Sequence, residues 1–286
     1  MKQQYSQIFA TSPKPFVKWA GGKRQLITSL EEHLPKKFGT YFEPFLGGGA
    51  LLFYLLNQGP NLKCNISDLN SDLILAYITI RDKVEQLVES LERHSGKYSA
   101  DKIEYYYSVR ESAPKNQIEK VSRLLFLNKT CFNGLYRVNS KGQFNVPLGR
   151  YTNPSIVNKE NLISVSKILQ SKNIAIRCQD FEAILDEAKK DDYVYFDPPY
   201  QPVSKTANFT SYTKCEFTYD DLKRLANVCQ KLDKKDCKVL LSNSNTKEVR
   251  KLFSSKWKVV EVSANRAINS NSKKRTGHTE LLIKNY

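Results

Sequence analysis

The sequence predicts an α/β fold with a Rossmann-like, mostly parallel sheet, and three stretches carry this prediction. Residues 41–45 have the composition of a short strand, residues 46–49 form a glycine-rich loop, and residues 50–57 form an apolar helix. Strand, glycine loop and helix in this order make up the nucleotide-binding half of a Rossmann-like fold. A second strand is predicted at residues 62–67. The apolar, aromatic run 193–196 is typical of a buried strand of a parallel sheet.

The alternation of strands and helices is interrupted in the middle of the chain and continues on both sides of this interruption. Further helices are predicted at residues 25–33, 72–93, 181–188 and 218–232. Further strands are predicted at residues 173–178, 238–241, 257–262 and 279–283, with the polar residues 242–245 following the second of these and an antiparallel hairpin at the C-terminus. The rhythm lapses after the helix at 72–93 and resumes near residue 168. We therefore expect a catalytic domain at 1–72 and 168–286, and an inserted, mainly helical domain with a β-hairpin at 73–167.

The composition of the 286-residue chain points to a polyanionic partner. Lys+Arg 45 against Asp+Glu 29 gives a net charge of +16, which favours nucleic acid first and an anionic membrane surface second. No segment is apolar for about 18 residues and the N-terminus has no signal-peptide core, so we expect a soluble, cytoplasmic protein and no membrane partner. The six cysteines form no CxxC pair and the three histidines are scattered. We therefore expect reduced, mostly core-filling cysteines and no metal site.

The candidate catalytic residues are Asp197, Pro198, Pro199 and Tyr200, which follow the predicted strand at 193–196. The prolines end that strand because they have no N–H and a fixed φ. An acid and an aromatic ring then lie at the carboxyl end of a strand, where open α/β sheets bind ligands. The alternative is a proline turn in which Asp197 is a turn former and Tyr200 a packing residue.

Candidate cofactor contacts lie near the two glycine-containing segments. The segment FVKWAGGK at 16–23 places Trp19 beside glycines that allow close backbone approach. A glycine turn before a helix, with Trp19 in the core, explains this segment equally well. Asp68 ends the second strand about 20 residues after the glycine loop, where an acid accepts hydrogen bonds from a ribose. We favour that role over a helix cap, although Asn70 also precedes a helix. Asp180 either meets an adenine edge or caps the helix at 181–188.

The predicted insertion interleaves aromatic and basic residues. Within it, residues 133–147 contain Asn-Gly and Lys-Gly steps that predict a hairpin. Asn133, Arg137, Asn139 and Gln143 can donate to phosphates or base edges. Given the net charge, we favour a nucleic-acid recognition module over a solvated loop. A basic loop at 265–275 either contacts phosphates or is simply solvated.

The segments together favour a methyl-transfer reaction. The glycine loop lacks the GxGxxG spacing, so an adenosine cofactor without a pyrophosphate fits, and S-adenosylmethionine is such a cofactor. An exocyclic amine of a base is a poor nucleophile because its lone pair is conjugated into the ring. Asp197 and the carbonyl group of Pro198 could accept from its hydrogens and favour attack, while Tyr200 could stack on the base. A base within a duplex must be flipped out to reach such a pocket.

The chain resembles the Dam-type DNA adenine methyltransferases of the GATC-methylating group over nearly its whole length. The matching segments are KWAGGK at 18–23, EPFLGGG at 43–49, DLN at 68–70, NGLYR at 133–137 through FNVP at 144–147 and GRY at 149–151, DPPY at 197–200 and ANFTSY at 207–212. The resemblance implies that Trp19, Lys23, Asp68 and Asp197 contact S-adenosylmethionine. It also implies that Asp197, Pro198 and Tyr200 hold the target adenine, and that Leu135, Arg137 and Pro147 read the site.

The complete expectation for the site covers a cofactor set and a DNA set. The expected cofactor contacts are Trp19, Ala20, Gly21, Lys23, Glu43, Pro44, Phe45, Gly47, Gly49, Asp68, Asp180, Phe181 and Asp197. The expected DNA contacts are Asn133, Leu135, Arg137, Asn139, Lys141, Pro147, Arg150, Tyr151 and Asn208. Double-stranded DNA is the expected partner, and a cognate restriction endonuclease would be a functional partner and not a physical one.

Two other functions compete with DNA adenine methylation. A methyltransferase acting on cytosine amines, RNA or a protein glutamine would use a related scaffold, but Asp at position 197 disfavours cytosine and glutamine, and the hairpin disfavours protein. A catalytically silent DNA-binding protein on the same scaffold is disfavoured by the intact acid, prolines and tyrosine.

Overall fold

The computed structural model describes residues 11–19, 26–200, 217–253, 256–264 and 278–286. The strands are Tyr41–Glu43 (β1), Cys64–Asp68 (β2), Ile174–Cys178 (β3), Tyr193–Phe196 (β4), Lys238–Ser244 (β5), Lys258–Ala264 (β6) and His278–Lys284 (β7). The helices are Ile27–Glu31 (α1), Ala50–Gln58 (α2), Ser71–Ala100 (α3), Lys102–Glu111 (α4), Gln117–Thr130 (α5), Lys159–Leu169 (α6), Ile184–Glu187 (α7), Tyr219–Lys234 (α8) and Lys247–Phe253 (α9).

The described strands form one seven-stranded mixed sheet in the order β3-β2-β1-β4-β5-β7-β6. The strands β3, β2, β1, β4 and β5 are parallel, and β7 is antiparallel to both β5 and β6. The prediction of a mostly parallel sheet with a C-terminal antiparallel hairpin is therefore confirmed. In this order β1 and β4 are central, so the carboxyl ends of β1, β2 and β4 lie side by side.

The central strand β4 is buried on both faces. Tyr193 and Tyr195 belong to one hydrophobic core, and the alternate residues Val194 and Phe196 belong to the other. This follows from the two-residue period of a strand, which sends successive side chains to opposite faces of the sheet. Because both faces are covered, every side chain of β4 is aromatic or β-branched, and the acid Asp197 follows where the strand ends.

The glycine loop between β1 and α2 has a backbone that favours glycine. Gly47 and Gly49 have φ values of 49° and 68°, a left-handed conformation that is costly for other residues. A Cβ at Gly49 would lie 2.7 Å from Tyr77 Oη, and that hydroxyl group donates to the carbonyl oxygen of Gly47 over 3.1 Å. The loop is therefore fixed against α3.

Several local predictions need correction. The strand predicted at 238–241 does not end at Leu241, because β5 continues through Ser244 and pairs with β7 from Leu240 to Ser244. Residues 181–188 form a 3₁₀ turn at Phe181–Ala183 followed by the single turn α7. The helix predicted at 72–93 continues to Ala100 and has a non-helical residue, Lys83, inside it. The domain division at 72/73 and 167/168 stays a prediction.

Thr218 and Asp221, whose spacing at the start of the helix predicted at 218–232 resembles a capping box, form one, and the prediction of mostly core-filling cysteines is confirmed. Thr218 caps α8 while Asp221 accepts from the Thr218 backbone N–H. Among the described cysteines, Cys178 is exposed and the free thiols of the others are buried, namely Cys64, Cys131, Cys229 and Cys237. Cys215 lies outside the described residues.

Candidate active site

Three acidic residues meet where neighbouring parallel strands end. Glu43 is the last residue of β1, Asp68 is the last residue of β2, and Asp197 follows β4 directly. Burial is the main cause that raises the pKa of Glu43 from 4.5 to about 8; the hydrogen bond from Tyr41 opposes the shift, and the charges of Asp197 and Asp68 add to it. Tyr41 Oη donates to Glu43 Oε2 over 2.8 Å. In a chain with a net charge of +16, this edge of the sheet is therefore locally acidic.

The buried carboxyl group of Glu43 predicts a pH-dependent stability. Its folded-state pKa, about 8, exceeds its ordinary value of 4.5, so the folded chain holds this proton more tightly than the unfolded chain. The resulting stabilisation is fully present below the ordinary pKa and is lost as the pH rises through about 8. Glu43→Gln should therefore lose less free energy of unfolding than wild type between about pH 5 and pH 8. Urea denaturation at several pH values measures this, and parallel curves would contradict it.

Asp68 joins the glycine loop to the start of α3. Its Oδ2 accepts from the backbone N–H of Gly47 and its Oδ1 from that of Asn70, each over 2.9 Å. Burial raises its pKa, and these backbone donors oppose the shift. The cap of α3 is Asn70, whose side chain accepts from Leu73 N, so the helix-cap interpretation of Asp68 is wrong. Contact with a ribose stays a prediction.

Trp19 lies against the glycine loop. A Cβ at Gly47 would be 3.0 Å from Trp19 Cδ1, so only a residue without a side chain allows this approach. The indole ring also stacks on Tyr136, with centroids 5.2 Å apart and planes at 28°. The predicted cofactor residues Ala20, Gly21 and Lys23 lie outside the described residues.

Asn128 fastens the predicted hairpin to the segment that contains Trp19. Its Oδ1 accepts from Lys18 N over 2.8 Å, and its Nδ2 donates to the carbonyl oxygens of Lys18 and Gly134 over 2.8 and 3.0 Å. Tyr136 Oη donates to Asp72 Oδ2 over 2.9 Å. The structure therefore places the predicted DNA-binding segment directly beside the predicted cofactor segment. The sequence analysis missed Asn128, which looks like an ordinary polar residue of a helix.

The hairpin is confirmed, and its turn has Ser140 and Lys141 at the centre, closed by Gly142 N donating to the carbonyl oxygen of Asn139 over 2.8 Å. Val138 pairs with Phe144, and Asn139 Oδ1 accepts from the backbone N–H groups of Lys141 and Gln143, each over 3.0 Å. The other step, at Asn133 and Gly134, belongs instead to a 3₁₀ turn in which Asn133 has a φ of 55°.

The predicted DNA-contacting side chains differ in exposure. Those of Asn133, Lys141, Pro147 and Arg150 are exposed, and those of Leu135, Arg137, Asn139 and Tyr151 are half-buried. Arg137 is oriented by Asn145, since its Nε donates to Asn145 Oδ1 over 2.7 Å and its Nη2 to the carbonyl oxygen over 3.3 Å. Tyr151 accepts a hydrogen bond from Lys18 Nζ over 3.3 Å. Asn208 lies outside the described residues.

The end of β4 continues into the predicted catalytic residues. Pro198 is buried, Pro199 is exposed and Tyr200 is half-buried. Tyr200 Oη donates to Glu280 Oε2 over 2.7 Å. Burial raises the pKa of Tyr200 well above its ordinary value, and the charges of Asp197 and Glu280 raise it further. The sequence analysis missed Glu280, although one acid in the apolar strand TELLI was a signal.

Three phenylalanine rings form an aromatic cluster beside the segment that follows β1. Phe45 stacks on Phe181 with centroids 5.3 Å apart, and Phe217 is within 5.9 and 6.4 Å of these two rings. Asp180 caps the 3₁₀ turn by accepting from Glu182 N, which confirms its capping role, whereas contact with adenine stays a prediction. Pro44, which lies between Glu43 and Phe45 in the chain, is buried.

Arg224 of α8 holds the segment around Phe181. Its Nη2 lies 3.0 Å from Asp180 Oδ1 and its Nε 3.2 Å from Glu182 Oε1. Its guanidinium carbon is 4.9 Å from the centroid of Phe181. The sequence analysis missed both Arg224 and Phe217, because neither belongs to a motif.

The sheet order, the glycine loop and the acidic strand ends define an α/β methyltransferase, and comparison with known proteins agrees. The model of the D12 class N6 adenine-specific DNA methyltransferases matches residues 19–268. The chain belongs to this family, and it is an adenine-specific DNA methyltransferase.

Several relatives are similar over almost the whole chain. The type II methyltransferase M.MjaIII of Methanocaldococcus jannaschii is 47% identical over 96% of this chain and 99% of its own length. The type II methyltransferase M1.LlaDCHI of Lactococcus lactis is 43% identical over 96% and 95%. The DNA adenine methylase of Escherichia coli is 34% identical over 94% of both chains.

The family implies S-adenosylmethionine as the methyl donor. Within the part of the chain that the structure describes, no cluster of three or more His, Cys, Asp or Glu side chains is arranged to hold a metal ion. In the same part, no helix has both the length and the apolar character needed to cross a membrane.

Proposed function

We propose that this enzyme transfers a methyl group from S-adenosylmethionine to the 6-amino group of adenine in double-stranded DNA, within GATC, after the adenine has been flipped out of the duplex. The observation that supports this most is the convergence of Glu43, Asp68 and Asp197 beside the Trp19 segment and the hairpin. A cofactor site, an acceptor for an amine and a DNA-reading element then share one edge of the sheet, where α/β folds bind ligands.

The acidic edge fits the charge of the cofactor. S-adenosylmethionine carries a sulfonium and an ammonium group, and when bound it supplies an electrophilic methyl group. Asp68 accepts hydrogen bonds from the backbone of Gly47 in the glycine loop and of Asn70 before α3. Each carboxylate oxygen can accept more than one hydrogen bond, so both can still accept from a ribose. Asp68 would therefore hold the ribose, while Glu43 and the glycine loop surround the methionine part. Phe45, Phe181 and Asp180 would contact the adenine.

The residues after β4 would hold the substrate amine. Asp197 and the carbonyl group of Pro198 would accept its two hydrogens, which draws the nitrogen toward a tetrahedral geometry and frees its lone pair. The new N–C bond would form as the bond between the methyl carbon and the sulfonium sulfur breaks, so that S-adenosylhomocysteine leaves with that electron pair. Positive charge then develops on the nitrogen, and the carboxylate of Asp197 would stabilise it most at that stage. One of the two amine protons then leaves through Asp197. The Tyr200 ring would stack on the extruded base.

The hairpin and the residues around it would bind DNA. The expected contacts are Asn133, Leu135, Arg137, Asn139, Lys141, Pro147, Arg150 and Tyr151, together with Asn208. We propose that residues 73–167 act as the recognition domain. The proposal of GATC as the target rests on the resemblance of residues 133–151 to the recognition hairpin of the GATC-methylating group.

The type II names of two relatives support a restriction endonuclease as functional partner. An enzyme using this donor and duplex DNA works inside the cell.

The experiment that tests this function compares closely matched duplexes. The protein is incubated with methyl-labelled S-adenosylmethionine and duplexes that contain GATC or a single substitution within it. Label on adenine of the GATC duplex, and protection of those sites from a methylation-sensitive nuclease, is the expected result. Equal labelling of the substituted duplexes would reject GATC as the recognition site. Label on cytosine would reject adenine as the methylated base. A 2-aminopurine at the target position should brighten on binding if the base is flipped.

Arg224 offers a test of the adenine side of the cofactor site. Arg224→Gln removes the ion pairs that orient Asp180 and the cation above Phe181, so S-adenosylmethionine should bind about three- to tenfold more weakly, as expected for half-exposed charged contacts. The matched control is Arg81→Gln, since Arg81 of α3 forms an ion pair with Asp82 that is also partly exposed and contacts neither Asp180 nor Glu182 of this segment. Calorimetric titration of both variants measures the effect. Equal weakening in both would show that Arg224 has no specific role there.

A further inference from the structure

Glu280 is a buried acid of β7 that contacts the hydroxyl group of Tyr200. It is 7% exposed, and the donor and acceptor oxygens are 2.7 Å apart. Since β7 is antiparallel, Glu280 stands opposite Ser244, the last residue of β5, and opposite Val262 of β6. The beginning of β7 therefore lies at the edge where the parallel strands end. This brings a residue 80 positions away in sequence to Tyr200.

This hydrogen bond constrains the tyrosine ring. An O–H donor on a carboxylate acceptor at this distance is a strong, charge-assisted hydrogen bond. Fixing the position of Oη restricts χ1. Because a phenolic O–H prefers the plane of its ring, a fixed acceptor also restricts χ2, the torsion that turns the ring plane. Since the pKa of Tyr200 is well above its ordinary value because of burial, the hydroxyl group remains a donor at neutral pH. A ring that must stack on a mobile, extruded base gains most from being held in place before the base arrives.

We infer that Glu280 is a positioning residue of the active site, whose carboxylate holds the Tyr200 ring in the orientation that receives the target adenine. This inference rests on the proposed function and adds a residue from the antiparallel part of the sheet to it. Glu280 acts through Tyr200, so its removal should slow methyl transfer without weakening the binding of S-adenosylmethionine.

A second tyrosine of the sheet supplies a matched control. Tyr195 Oη and Ser242 Oγ are 2.9 Å apart, and both residues are buried between β4 and β5. This pair also ties a tyrosine hydroxyl group to a neighbouring strand, but its ring packs in the hydrophobic core. Ser242→Ala should therefore lower the melting temperature without a selective change in the rate of transfer.

The experiment is a double-mutant cycle on single-turnover methylation of a GATC duplex. Glu280→Ala and Tyr200→Phe are each expected to lower the rate about tenfold, with less than about a twofold change in KM for S-adenosylmethionine. The double variant should also lose about tenfold, because both changes remove the same constraint. Glu280→Gln keeps an oxygen acceptor and should recover the rate to within about threefold of wild type. The quenching of a flipped 2-aminopurine should change in Glu280→Ala and not in Ser242→Ala.

The outcomes separate this inference from the proposed function. If wild type labels adenine but the two single losses multiply in the double variant, Glu280 acts independently of Tyr200 and the inference is overturned. A wild-type rate in Tyr200→Phe would overturn it as well, and this variant decides the question if Glu280→Ala does not fold. If wild type transfers no methyl group to any duplex, the proposed function fails and the inference fails with it.

Discussion

Replacing Asp197 with alanine is expected to lower the rate of methyl transfer by about 10³-fold, toward complete loss, while duplex DNA binds nearly as well as to wild type. Removing one preorganised group that stabilises developing charge costs on the order of 10²–10³ in kcat, and Asp197 is also the expected proton acceptor. The hairpin proposed to contact DNA is held by hydrogen bonds of Asn128 and Tyr136, and neither of these bonds involves Asp197. Labelled methyl transfer and a DNA-binding titration on the same preparation measure the two effects.

The matched control for this variant is Asp186→Ala. Asp186 is an exposed acid of α7, so its removal changes the net charge equally but leaves the acidic strand ends intact, and wild-type transfer is expected. Near-normal turnover in Asp197→Ala would contradict the proposed role of Asp197 as the acceptor for the substrate amine. Parallel loss of DNA binding and melting temperature would instead assign Asp197 to folding.

Replacing Arg137 with alanine is expected to reduce discrimination between GATC and singly substituted sites by about 10–100-fold, or about 1–3 kcal/mol. Asn145 fixes the guanidinium at the base of the hairpin through two hydrogen bonds. Since a guanidinium has five N–H donors in a rigid fork, further donors can face a guanine edge. Competition binding with duplexes substituted at each position locates the base that Arg137 reads.

Lys141→Ala is the comparison for Arg137→Ala. Lys141 lies exposed at the hairpin turn, where a flexible cation meets phosphates and not base edges. Its loss should weaken binding to every duplex alike and lower the salt dependence of binding by about one phosphate contact. If Arg137→Ala instead weakens all duplexes equally, Arg137 is a phosphate contact and the recognition role moves to other residues of the hairpin.

Three contacts hold the expected cofactor segment, at Lys18 and Trp19, beside the hairpin. Trp19 lies against the glycine loop and stacks on Tyr136. Asn128 forms hydrogen bonds with both Lys18 and Gly134, and Lys18 Nζ donates to Tyr151 Oη. These contacts join the hairpin to the segment that is expected to line the cofactor pocket. This arrangement is consistent with one enzyme that reads DNA and delivers a methyl group at a single edge of its sheet.

The sequence by itself determined the features that depend on neighbouring residues. The glycine loop follows from positions 47 and 49, where a left-handed backbone favours glycine, and the capping box of α8 follows from Thr218 and Asp221. The buried strand before Asp197 is visible in its aromatic and β-branched side chains, and the prolines after it mark its end. The order of these segments also sufficed to predict an α/β methyltransferase.

Only the tertiary structure decided which distant residues join these segments. Glu280 reaches Tyr200 because β7 runs antiparallel beside β5, and the same pairing extends β5 through residues 242–244, whose polar side chains resemble a loop in sequence. Arg224 and Asn128 lie on helices whose positions are set by packing against the sheet and the hairpin. Their contacts join residues far apart in the chain, so no local pattern records them, whereas caps, turns and strand ends are set within a few residues.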